Sequence, residues 1–395
     1  MKKVKIGDVC DILNGFAFKS DKYVEKGIRI IRIANVQKGF IEDNVPTFYP
    51  MDSTGLEKYM LKEDDLLMSL TGNVGRVALL QKEMLPAALN QRVACLRLKT
   101  DRITKGFLFH ILNSDFFEQQ CVLASNGVAQ KNMSTEWLKD YEIPLYSIQE
   151  QMKIADILDK IKRIIVAKNN ELRALNELIK ARFVGMFGDP VKNDKGWRTL
   201  PLEDSCKSIV DCPHSTPAYT TEYTGYMCIR TSIIKKNKIM WDEVEYISEE
   251  EFVKRIQRKK PEVGDVVYTR EGAILGIAAI IDRKCNVALG QRLMLLSPDT
   301  NKCISEFLCV AMNCDSFLNN ALKGVAGSAS PHINVGDIKM FRMIMPPIEL
   351  QNQFADFVHQ IDKSKVNYYY KNRKDGFPPL LFIYNVTTII NLSDY

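Results

Sequence analysis

SIQEQMKIADILDKIKRIIVAKNNELRALNELIKAR, residues 147–182, is the stretch that decides the fold of this chain. Its apolar side chains Ile154, Leu158, Ile161, Ile165, Leu172, Leu175 and Ile179 recur at alternating steps of four and three, interrupted at Lys168. That spacing is the seam of a coiled coil on one long helix. Ser147, followed three residues on by Glu150, forms a capping box in which each side chain satisfies a backbone N–H at the helix start. Gly185, Gly188 and Pro190 close the far end, glycine by permitting a left-handed exit and proline by lacking a donor. At this length the rod spans roughly 55 Å. A compact domain cannot bury it, so it requires a partner helix.

The partner is found by sliding the chain along itself by 200 residues. Leu89-Asn90-Gln91-Arg92 then lies over Leu289-Gly290-Gln291-Arg292, Asp65 over Asp265, Gly72 over Gly272, and Phe107-Leu108 over Phe307-Leu308. Ile154-Ala155-Asp156-Ile157 lies over Phe354-Ala355-Asp356-Phe357. A period this long is that of a domain plus a helix rather than a solenoid repeat. The plan is domain, rod, domain, rod, with a pseudo-two-fold internal repeat. The second rod begins after Pro346-Pro347, carries Leu350, Phe354, Phe357 and Ile361, and is expected antiparallel to the first.

The boundaries follow: a first α+β domain over 1–146, a helix over 147–187, a polar linker over 188–197, a second α+β domain over 198–346, a shorter helix over 347–374, and an atypical tail over 375–395. Within the domains, Gly27–Val36, Asp65–Leu70, Arg76–Leu80 and Val93–Leu98 read as strands and Gly106–Gln120 as a helix. Tyr226–Arg230 and Asp265–Thr269 repeat the strands, and Ser305–Leu322 repeats the helix.

With 46% apolar and 26% charged residues in 395, the chain has an ordinary globular composition sufficient for two or three domains. The N-terminus has lysines but no following apolar run, and no stretch is long and apolar enough to cross a bilayer, so a cytoplasmic protein without membrane association is expected. The ten cysteines form no C-x-x-C pair and read as buried reduced thiols. The four histidines show no ligand spacing, and no metal is expected. A net charge of +6 permits a polyanionic partner without requiring one.

Side chains able to read base edges gather at strand ends and loops of both domains. In the first they are Arg32, Asn35, Thr71, Asn73, Arg76, Gln91, Gln130, Lys131 and Asn132; in the second, Arg230, Ser232, Thr269, Arg270, Gln291, His332 and Asn334. Arginine, asparagine and glutamine pair bidentately with guanine and adenine, while lysine suits phosphate. Each taken singly is also an ordinary loop residue. Arg92 and Arg292 read either as braces for a strand end or as DNA contacts. The functional reading gains from the doubling, because equivalent positions differ in identity as two readers of different sequences would.

Chemistry fares less well. There is no Asp-Pro-Pro-Tyr or Asn-Pro-Pro-Tyr stretch for amino methylation, no Gly-x-Gly-x-x-Gly and no P-loop. Asp265 and Glu271 lack the lysine of a nuclease set, and Asp265 reads better as the turn before a strand. A non-catalytic chain is expected, with no cofactor of its own.

The whole arrangement resembles the specificity subunits of type I restriction-modification systems. The resemblance rests on Ile143 to Ile161, with its Gln-x-x-Ile-Ala-Asp signature, on the exit Met186-Phe187-Gly188-Asp189-Pro190, and on the doubled Gln-Arg strand; it extends to about Lys371. It implies two target recognition domains on double-stranded DNA. The helices, with seam residues Ile154, Leu158, Ile161, Ile165, Leu172, Leu175, Ile179, Phe354, Phe357 and Ile361, would form the spacer and the docking surface for two methyltransferase subunits. Restriction subunits would then join. S-adenosylmethionine, ATP and magnesium would bind those partner chains. A rod of roughly 55 Å matches about sixteen base pairs at ~3.4 Å rise, so the target should be bipartite and, with unlike domains, asymmetric. The second helix departs from the family pattern near Tyr370, which opens a second reading: a truncated or silent subunit that binds DNA or partner without forming an active complex.

Overall fold

Alternate residues of one short strand face two different cores, and this happens twice. In the first half Leu66 and Met68 pack with Phe107, Leu108 and Phe117, while Leu67 packs with Ile31, Ala78 and Leu89. In the second half Val266 and Tyr268 pack with Phe307 and Phe317, while Val267 packs with Ile229, Ala279 and Leu289. A strand buried on both faces reads as a continuous apolar run, as both do, because side chains alternate across the pleat. The computed structural model describes residues 2–125, 132–323 and 331–374.

The central antiparallel sheet of the first half is ordered Cys10–Asn14, Val93–Leu98, Leu66–Ser69, Val77–Leu79. That of the second is ordered Cys206–Asp211, Leu293–Pro298, Val266–Thr269, Ala278–Ile280. Helices cover one face. Against the other lies a three-stranded sheet, Phe48–Tyr49, Ile28–Ile31, Ala87–Leu89 in the first half and Glu245–Tyr246, Met227–Ile229, Val287–Leu289 in the second. In each half the last pair of that sheet is parallel. The strand order is the same in both, so the duplication seen in sequence is a duplication of fold. Asp65 and Asp265 do the same work: each carboxylate accepts a backbone N–H three residues back, from Lys62 and Glu262, and closes the turn into the central strand.

Several elements are shorter than their sequence suggested. The expected strand Gly27–Val36 ends at Ile31, because the Asn35 side chain accepts the Arg32 N–H at 2.9 Å and turns the chain. The expected helix Gly106–Gln120 is two, Lys105–Leu112 and Asp115–Ala124. Ser114 between them is extended, and its hydroxyl caps Phe117 N. Ser305–Leu322 likewise divides into Ser305–Asn313 and Asp315–Ala321 around an extended Cys314.

The long helix is uninterrupted over Ile148–Phe187, 40 residues and about 60 Å. Glu150 N donates to Ser147 Oγ and Ser147 N to Glu150 Oε2, at 3.3 and 2.9 Å, so the capping box is formed. The helix ends at Phe187, where the boundary was expected, and encloses Gly185; the left-handed exit is at Gly188, with φ +76°. The polar linker 188–197 also caps the helix. Lys195 Nζ donates to Gly185 O at 2.6 Å and Trp197 Nε1 to Phe187 O at 2.9 Å, satisfying carbonyls of the last turn.

The chain divides into two compact units, one built on residues up to Lys168 and one on Asn169–Tyr370. Each unit holds a long helix by the same device. Gln151 is fully buried; its amide donates to Arg102 O and Tyr146 O and accepts from Thr104 N, all within 2.9 Å. Gln351, at the equivalent place on the helix Ile348–Lys374, donates to Lys302 O and Pro346 O and accepts from Ile304 N. The shared Gln thus pins helix to domain in each half. Replacing Gln351 with leucine leaves one N–H and two carbonyls buried without partners, and is expected to cost about 2–4 kcal/mol in urea denaturation of the full chain.

Within the second unit, Phe183 and Phe187 both meet Phe354, and Arg182 lies 5.7 Å over the Phe357 ring. One helix rises in number as the other falls, so they are antiparallel here, as expected. Along the seam Leu158, Ile179 and Phe354 are buried, and Ile154, Ile161, Ile165, Leu172, Leu175, Phe357 and Ile361 are half-buried. Ile154, Ile179, Phe354, Phe357 and Ile361 belong to the cores of the chain's own units. The tail 375–395 lies outside the described residues.

Candidate nucleic-acid interface

Four chain segments meet at one edge of each domain, tied by backbone hydrogen bonds. In the first, Asn90 N donates to Ile31 O, Leu70 N to Arg92 O and Met133 N to Leu70 O, while Thr71 bridges Asn132. In the second, Gly290 N donates to Ile229 O, Arg270 N to Arg292 O and Ile333 N to Arg270 O, while Glu271 bridges His332. Tight turns make the meeting possible: Gly72 and Gly272 follow the central strands with φ of +71° and +95°. Arg32, Asn73, Gln91 and Asn132 therefore come together, as do Arg230, Gln291 and His332. Gln130 and Lys131 lie outside the described residues.

Burial separates these candidates into two groups. Asn73, Gln91, Asn132, Ser232, His332 and Asn334 are exposed, and Gln291 is half-buried. Asn334 sits at the start of the helix Val335–Lys339, its amide 3.2 Å from Asp337. Four others are inside. Asn35 is buried and donates to Glu42 O and Asp43 Oδ1. Thr71 is buried in its bridge, and Thr269 is fully buried with its hydroxyl accepting from Ile277 N at 2.8 Å. Arg270 is buried against Asp211, with Nε to Oδ1 at 2.9 Å. As placed, Asn35, Thr71, Thr269 and Arg270 hold the edge in shape rather than present groups to a duplex.

Arg76 and Arg230 fall between. Arg76 is half-buried and donates to the Gln37 amide oxygen. Arg230 pairs with Glu245 at 3.0 Å and lies 5.0 Å over the Tyr219 ring. Arg32 and Arg230 share one further trait: in each, Nε is buried and lacks a hydrogen-bond partner.

Three further exposed residues lie at the edges. Arg92 and Arg292, ambiguous in sequence, are both exposed at the turn before the long central strand. His214 is exposed as well, 3.1 Å from Asp211 and 3.4 Å from Arg270. The doubled Gln-Arg pair was the available signal for the arginines. Nothing in sequence marks His214, whose partner Arg270 lies 56 positions away.

All ten cysteines are unpaired. Burial pushes thiols such as Cys10 and Cys121 up to about 12, far from the thiolate a nucleophile needs. Among the described residues no three His, Cys, Asp or Glu side chains are grouped to hold a metal ion, and no helix is long and apolar enough to cross a membrane.

A family model described as the type I restriction modification DNA specificity domain matches residues 1–177 and again 194–369. The type I restriction enzyme EcoBI specificity subunit of Escherichia coli is 24% identical over 386 residues, 91% of this chain and 78% of that protein. The MjaVIII specificity subunit of Methanocaldococcus jannaschii is 32% identical over 184 residues, 45% of this chain and 43% of that one. In fold the chain is similar to the crystal structure of a type I restriction-modification S subunit from M. genitalium, with a TM-score of 0.56 at 14% identity, covering 94% of this chain and 92% of that one.

Proposed function

Since the chain belongs to the type I restriction-modification DNA specificity family, and is thereby a non-catalytic DNA-recognition subunit, we propose that its two edges read the unlike halves of one asymmetric bipartite duplex. The observation that carries this is the pair of matching edges bearing different side chains: Thr71 against Glu271, Asn73 against Ala273, Asn132 against His332. Equal frames with unequal readers give unequal half-sites. Each reader alone covers few base pairs, and joining the two multiplies affinity through effective concentration.

In this reading the long helices dock two methyltransferase chains, and restriction chains join that assembly. S-adenosylmethionine, ATP and magnesium are assigned to those partners. A chain whose ligand is double-stranded DNA is placed in the cytoplasm. The test is co-purification of the full chain with its methyltransferase partner, followed by sequencing of methylated adenines. Two short unlike blocks separated by a fixed unread gap are expected; one continuous site counts against the proposal. A chain that binds DNA or the methyltransferase but yields no methylation would instead be the silent subunit.

A second measurement concerns the readers. Gln91→Ala should weaken one half-site by about 1–3 kcal/mol and leave the other untouched, read by competition between duplexes altered in one half at a time.

A further inference from the structure

We propose that Arg292 and Glu271 form a preset pair that reads a single G·C base pair, Arg292 taking the guanine and Glu271 the cytosine. This rests on the DNA-recognition reading above. Arg292 occupies the turn into the strand Leu293–Pro298 with φ +71°, a left-handed conformation unusual for any residue but glycine. Its side chain is 46% exposed, and its Nε lies 3.8 Å from Glu271 Oε1. Strain of this kind persists only where the surroundings impose it, and it concentrates at binding sites.

The surroundings do impose it. Arg292 O accepts from Arg270 N at 3.1 Å, and Arg270 is itself fixed by the buried Asp211 contact. Gly272, whose φ of +95° favours glycine, turns the chain beside Arg292: a Cβ there would stand in ordinary contact, 3.5 Å from Arg292 Nη1. Glu271 is anchored by its backbone bridge to His332. The backbone that carries the arginine is thus fixed before binding, and the ion pair biases its side chain toward Glu271.

The chemistry fits one base pair. A guanidinium donates twice to guanine O6 and N7, and a carboxylate accepts from cytosine N4–H in the major groove. The first domain keeps the arginine, as Arg92, but has Thr71 where Glu271 stands, and among the described residues Arg92 makes no ion pair. Glu271 is therefore a specificity-determining residue peculiar to the second reader.

The test uses the full chain in complex with its methyltransferase partner and a panel of duplexes in which every base pair of the methylated site is replaced in turn. For the natural chain, one position of one half-site is expected to demand G·C. Arg292→Ala should lower affinity for the natural duplex about 10- to 100-fold and erase the preference at that position alone. Arg292→Lys, which keeps charge without the planar fork, should not restore it. Glu271→Gln should relax the same position, with thermal melting unchanged. If Arg292→Ala weakens every duplex equally, the arginine touches phosphate and the proposal fails. It fails also if the base profile is fully retained. In both cases the natural chain still discriminates, so the DNA-recognition reading stands. A natural complex with a flat profile overturns both.

Discussion

Replacing Phe354 with alanine is expected to destabilise the second unit by about 3–5 kcal/mol. Phe354 is fully buried at the start of the second long helix, with ring centroids 5.5 Å from Phe183 and 5.6 Å from Phe187. Phe307 completes the cluster, stacked on Phe183 at 5.6 Å and edge-on to Phe187 at 4.9 Å. Four rings from three helices thus share one site, and removing one opens a void that the other three cannot fill without leaving their tilted contacts. Trp197 packs at the edge of this core and bonds Phe187 O, so its fluorescence reports the site. A urea midpoint lowered for that signal, with amide exchange in residues 1–146 unchanged, is the expected outcome. An unshifted midpoint would mean that the cluster does not hold the helices together.

The second large effect is at Arg270. Its side chain is 8% exposed and that of Asp211 15%, with a second contact from Arg270 Nη2 to Oδ2 at 3.4 Å. Arg270→Ala leaves the Asp211 carboxylate with only the exposed His214 beside it in a mostly dry site and should cost about 3–5 kcal/mol. Replacing both partners, Arg270→Met with Asp211→Leu, should recover much of that loss, because a matched apolar pair carries no desolvation penalty. The effect on DNA is diagnostic. A base-reading arginine would alter one position of one half-site, whereas this arginine, as part of the frame, should weaken every position that the second domain reads. Single-position loss in the duplex panel would return Arg270 to the readers.

The distinction between these two arginines shows where sequence stops being informative. The long helix was legible because everything that makes it is local: a capping box three residues apart, a seam at steps of three and four, and a glycine exit. The doubling was legible because the offset of 200 is kept through loops and helices alike. Whether an arginine faces water or a carboxylate is another matter. Arg270 and Asp211 stand 59 residues apart, and only the pairing of two strands with the same central partner brings them together. Asn35 illustrates the same limit on a shorter scale: its side chain makes the turn that shortens the expected strand, and in doing so turns away from any duplex. Conversely Arg92 and Arg292, undecided in sequence, are exposed because the turn that carries them sits at the rim of the sheet.

Gln151 and Gln351 each anchor a long helix to its own domain through contacts that involve nothing from the other half. The two compact units part at Lys168 and Asn169, midway along a helix and well past the first anchor. A chimaera spliced there would carry each reader away with its own fastening intact. Half-specificities could then be exchanged like cassettes, with the heptad phase at the joint as the one thing to preserve.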